Sequence, residues 1–71
     1  MMTKYCISYH EDGVLKSQYC DNKRDASNFA RKVTRDGSTA RVYRVNGMLH
    51  NGSFYETQST FVADYKDGKR T

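Results

Sequence analysis

One segment of this chain repeats its apolar residues with the period of a helix. In "ASNFARKVTRDG", residues 26 to 37, Ala26, Phe29, Ala30 and Val33 recur at i, i+3, i+4 and i+7. Asn22 stands ahead of them as an N-cap, with Asp25 placed as its capping-box partner and as a favourable charge near the N-terminus. Gly37 is the natural C′ stop, so the spacing predicts a helix over residues 23–35. The stripe is narrow. Its alanines permit close approach to a sheet, and Phe29 fills the centre of the contact. A chain of 71 residues leaves room for one domain and buries only about 60% of its unfolded surface.

The flanking segments read as strands. "KYCISYHEDGVLKSQYC" alternates Tyr5, Ile7 and Tyr9 with Cys6, Ser8 and His10, the period of two of a β-hairpin. Placing Leu15 and Tyr19 on the face of Ile7 requires a loop of Glu11, Asp12 and Gly13. That loop pairs Tyr9 with Leu15, Ile7 with Ser17 and Tyr5 with Tyr19. The same register sets Cys6 and Cys20 diagonally on one face, too far apart for a relaxed disulfide, and both are expected as free thiols. Thr39 to Val45 forms the next strand. A loop across 46–52, containing Asn46-Gly47 and Asn51-Gly52, leads to strands at 53–57 and 60–65. Residues 66–71 are expected to fray. The fold class is α+β: an antiparallel sheet of about five strands with one helix packed on one face, in the order ββαβββ. The core is expected from Ile7, Leu15, Phe29, Val33, Val42, Phe61 and Ala63.

Charge supplies the first candidate surface. The net charge is +4, and Asp12, Asp21, Asp36 and Asp67 lie in turns or at helix ends, where a carboxylate serves the local backbone. At about 100° per residue, Arg24, Asn28, Arg31 and Arg35 fall on one line opposite the Phe29/Val33 stripe, with Lys32 beside it. Guanidinium groups match phosphate and carboxylate geometry, so such a column suits an anionic partner. It also suits a solvated helix face that keeps a protein dissolved. Arg41 and Arg44 extend the candidate patch, as do Lys69 and Arg70.

Aromatic residues supply the second. Aromatics make up 13% of the chain, more than one helix can cover, which also sets it apart from a disordered tail despite a mean hydropathy of −0.92. Tyr43 and Tyr55, with Phe54 and Tyr65, are candidates for exposure on the sheet, where they stack on bases, anchor a partner or pair across strands. No basic-Gly-aromatic-Gly order of RNA-binding sheets is present.

Enzymatic readings find little support. His10 and His50 adjoin predicted turns without a metal-ligand or catalytic arrangement, and the Asp-Gly pairs lack phosphate-loop or calcium-loop spacing. No catalytic residue, metal or cofactor is expected. The chain has no apolar run of membrane-spanning length and no signal-peptide centre, so the expected address is the cytoplasm, with no membrane partner.

Two resemblances of layout bear on partners. "YCISYHEDGVLKSQYCDNKRDASNFARKV" resembles the amino-terminal arm-binding module of tyrosine recombinases: an aromatic strand, an Asp-Gly turn, a second strand and an Ala/Phe-bearing helix. This resemblance covers less than half of the chain, and the later strands depart from it. The whole chain is similar in length and order to small phage-encoded host-takeover proteins, including anti-CRISPR proteins. That similarity implies a non-catalytic inhibitor that occludes a surface of a host protein of nucleic-acid metabolism or defence, in the cytoplasm of the host cell. The alternatives are direct DNA or RNA binding through phosphate contacts, and a self-associating module, a homodimer, that pairs through a sheet edge.

Overall fold

A computed structural model describes residues 1–71. Its elements are β1 (Met2–Glu11), β2 (Val14–Cys20), α1 (Lys23–Val33), β3 (Thr39–His50), β4 (Ser53–Lys66) and β5 (Lys69–Arg70). The strands form one antiparallel sheet in the order β2-β1-β3-β4-β5, with α1 packed on one face, so the α+β class and the ββαβββ order hold. No helix is long and apolar enough to cross a membrane.

Each glycine follows an Asp or Asn, and three of these pairs close the hairpins. Asp12-Gly13, Asn51-Gly52 and Asp67-Gly68 all have positive φ at both residues. That is the backbone of a two-residue type I′ turn, whose twist matches the strands it joins. Three sequence expectations change as a result. The first hairpin turns on Asp12 and Gly13 alone, which pairs Tyr9 with Lys16, Ile7 with Gln18 and Tyr5 with Cys20. Leu15 then leaves the helix-facing side and stands 64% exposed. The physical reason is that α1 sits chiefly over β1 and β3, and of β2 only Cys20 packs against the core, so the strand has little core face to fill. In this register Cys6 and Cys20 lie on opposite faces of the sheet, both as free thiols.

The second change concerns β3 and β4. No loop spans 46–52: β3 runs through Asn46-Gly47, and the turn is Asn51-Gly52. The segments expected as separate strands at 53–57 and 60–65 are one strand carrying two bulges. Val42 and Tyr43 pair with Ala63 and Phe61, leaving Val62 extra, and Asn46 and Gly47 pair with Gln58 and Glu56, leaving Thr57 extra. The third change is the tail, which turns back at Asp67-Gly68 and adds β5 beside Tyr65 and Lys66. The strand count therefore agrees with expectation while the last two strands are composed differently.

The helix is capped as its sequence implies. The Asn22 side chain accepts from the Asp25 amide at 2.8 Å, and its own amide donates to the Asp25 carboxylate at 3.1 Å. It ends at Val33, two residues short of the expected limit, with Thr34 as C-cap. Gly37, with φ +92°, closes the following turn and is not the C′ residue. Ala26 and Ala30 are fully buried against Ile7, Val42, Ala40 and Ala63, and Phe29 meets Tyr9 edge-on at 5.1 Å. Tyr9 and Tyr65 take the volume expected of Leu15 and Phe61, both of which are exposed, while Phe29 and Val33 are only half-buried. The Tyr65 hydroxyl donates to Ser27 at 3.0 Å, which lets a phenol sit under a helix without an unsatisfied polar group.

The face away from the helix holds a second, smaller cluster. The Tyr19 ring lies 5.4 Å from that of Phe54, and its hydroxyl donates to Glu56 at 2.9 Å. In strand order β1 and β3 separate these residues, roughly 14 Å of flat sheet. The end of the β3–β4 hairpin must therefore coil back over the sheet, and the bulge at Thr57 supplies the bend. Val45 is fully buried beneath it. Gly47 allows the approach, since a Cβ there would stand 2.7 Å from the Phe54 ring and would meet the Tyr55 carbonyl.

Candidate interaction surface

The exterior of α1 carries Arg24, Asn28, Arg31 and Lys32, with Arg35 in the turn that follows, and all are exposed. Packing of Ala26 and Ala30 against the sheet leaves no other orientation for this row. None of these cations is in an ion pair. The salt bridges lie elsewhere: Lys4–Asp21 at 3.0 Å, Lys16–Glu11 at 2.6 Å and Arg41–Asp64 at 2.9 Å. Asp25, the one acid within the helix, is held at the N-cap.

Two guanidinium stems are positioned from below. The Arg31 guanidinium stands 6.0 Å from the Tyr65 ring, and the Arg35 stem packs over Gly68 of the β4–β5 turn. Thr34 fastens that turn to the helix. Its buried hydroxyl donates to the Ala30 carbonyl at 2.8 Å and accepts from the Gly68 amide at 3.1 Å. Through the β4–β5 pairing, Arg70 shares the helix-side face with Tyr65, and its guanidinium donates to the Val62 carbonyl at 3.5 Å. On the opposite flank, Lys32 and Arg35 border a hollow also lined by Glu11, Asp12 and Asp36, which bounds the positive surface there. Two hydrogen bonds from Ser38, through its hydroxyl and its amide, hold the Asp36 carboxyl below the usual range.

The remaining candidates are dispersed. Arg44 pairs with Tyr5 and Thr60 and lies exposed on the helix side. Arg41 lies on the other face, bonded to Asp64 and 5.7 Å from the Phe61 ring, so it does not extend the ridge. Its guanidinium is pushed further up in pKa by the Asp64 hydrogen bond. Tyr43 shares that face, half-buried and edge-on to Phe61 at 6.1 Å. Tyr55 projects from the opposite side of the β3–β4 ribbon, exposed beside His50.

Sequence reading missed the Tyr19–Phe54–Glu56 cluster. Its signal was the Asn51-Gly52 pair taken as a tight turn, which extends both strands far enough to fold back. Burial, with Glu56 nearby, pushes the Cys6 thiol up, so this cysteine is not an activated nucleophile. No group of His, Cys, Asp and Glu side chains is arranged to hold a metal ion. Comparison with protein-family models, with curated proteins and with solved structures found no match to this chain.

Proposed function

We propose that this protein is a non-catalytic binding module that docks the outer face of α1 onto an acidic surface of a nucleic-acid-handling protein and occludes it. The observation that carries this reading is the row of Arg24 and Arg31 on α1 and Arg35 in the turn after it, all exposed and free of ion pairs. The contacts that position Arg31 and Arg35 lower the ordering cost of binding, and complementary charge steers the encounter. The resemblance in length and element order to phage-encoded host-takeover proteins supports a partner in host nucleic-acid metabolism or defence. The test compares immobilised wild type with the Arg24→Ala/Arg31→Ala/Arg35→Ala variant in nuclease-treated host lysate. One nucleic-acid-handling protein should be retained stoichiometrically by wild type and lost from the variant. Retention that is equal on both columns, or no retained protein, ends the proposal.

The same row, with no acid between its members, supports a second reading in which phosphate is the direct ligand. In that case affinity for short DNA or RNA duplexes, followed by fluorescence anisotropy, should fall steeply with salt. Arg31→Ala/Arg35→Ala should lower the log–log slope by about 2. No binding at low salt excludes it.

A further inference from the structure

The sheet has two edges, and they are finished differently. On the β4 side, bulges at Thr57 and Val62 interrupt the strand, and β5 covers its last residues. Bulges and short covering strands keep an edge from pairing with another chain. β2 has neither device. Val14–Cys20 lies at the end of the strand order, pairs with β1 without a register shift and contains no proline. Its one charge, Lys16, is engaged by Glu11 of β1.

The two-residue turn decides which backbone groups of β2 are free. Glu11 and Val14 flank the turn and form a hydrogen-bonded pair, and bonded and non-bonded pairs alternate from there. Val14, Lys16, Gln18 and Cys20 thus turn their amides and carbonyls toward β1, while Leu15, Ser17 and Tyr19 turn theirs outward. The Tyr19 carbonyl agrees with this: it accepts from the side-chain amide of its neighbour Gln18 at 3.2 Å.

We propose that β2 pairs antiparallel with β2 of a second copy of this chain, about a two-fold axis through Ser17. In that register Ser17 faces its own copy and Leu15 faces Tyr19, so every outward amide and carbonyl of these residues finds a partner. Lys16 faces Gln18 and Val14 faces Cys20, so no like charges meet. An axis through Lys16 opposes two ammonium groups and leaves Tyr19 unpaired. Val14 and Leu15, 56% and 64% exposed, gain cover. The axis stands perpendicular to the sheet, so both helices lie on one side and their arginine ridges point the same way. The contact is small for a stable complex, which places the dissociation constant in the range of about 1 µM to 1 mM. Each copy carries +4, so added salt tightens the pairing, the reverse of its effect on anion binding.

Sedimentation equilibrium of the full chain at rising concentration, in low and high salt, tests this. Wild type should climb from 8.2 kDa toward twice that mass, more readily in high salt. Ser17→Lys sets two ammonium groups across the axis and should weaken association about tenfold or more. Ser17→Pro removes the central donor and should abolish association. Because the Ser17 amide faces solvent, both variants should keep the wild-type melting curve at dilutions where wild type is monomeric. Arg31→Ala/Arg35→Ala should associate like wild type, which separates this contact from the helix surface. A wild type that stays monomeric near ~1 mM in high salt overturns the proposal, as does association unchanged by both Ser17 variants.

Discussion

Tyr19 shows how a single side chain joins distant parts of this sheet. Its ring packs on Phe54, its hydroxyl donates to Glu56, and partial burial followed by that bond pushes the phenol up to about 12. An unfolded tyrosine titrates near ~10. A folded pKa above the unfolded one means that the native state holds the proton more tightly. The resulting stabilisation is complete below pH ~10 and is lost as the pH rises through about 12. The ring is 39% exposed, so screening keeps the effect modest. Urea unfolding between pH 9 and 12 should show wild type losing stability faster than Tyr19→Phe; parallel losses would remove the linkage. The helix arginines were legible from sequence because a helical wheel depends only on local geometry. The role of Tyr19 was not, because its partners lie 35 and 37 positions away and meet it only when the hairpin coils.

At the scale of the element, the β3–β4 hairpin depends on a bulge and a glycine in combination. Thr57 bends the ribbon, and Gly47 lets Phe54 settle over the sheet. Gly47→Ala drives a methyl group into the Phe54 ring and the Tyr55 carbonyl, and it should cost about 1–3 kcal/mol in chemical denaturation. The Tyr19–Phe54 contact, seen as a nuclear Overhauser effect, should weaken with it. A variant as stable as wild type with the contact intact would mean that close approach at Gly47 is not what seats the hairpin. Two Asn-Gly pairs sit five positions apart in this hairpin, and local turn chemistry ranks them equally. Long pairing chose Asn51-Gly52 because it lets β3 and β4 satisfy their backbone groups along their whole length. The first hairpin misled for a related reason. Alternation in β2 suggests burial, yet only Cys20 of this strand packs against the core, and the twist of the turn sets the register of the rest.

Across the whole molecule, the short C-terminal segment closes the structure. Gly68 donates to buried Thr34, and the Thr71 amide donates to the Asp64 carbonyl at 2.9 Å. Truncation after Lys66 should therefore destabilise the fold by about 1–3 kcal/mol, read from the urea midpoint. A polar end that merely frays would be removed without effect, and an unchanged midpoint would mean that it does. Taken by itself, the amino-acid sequence determined the helix, its cap, its outward cations, the strand-forming segments and the α+β class, because period and capping follow from local sterics and hydrogen bonding. Only the tertiary structure decided which face of β2 looks outward, which tyrosines are buried, that Arg41 leaves the ridge, and that the tail becomes a strand. Those outcomes turn on how much sheet one narrow helix can cover and on how far a bulged ribbon bends, and neither quantity is carried by any short stretch of residues.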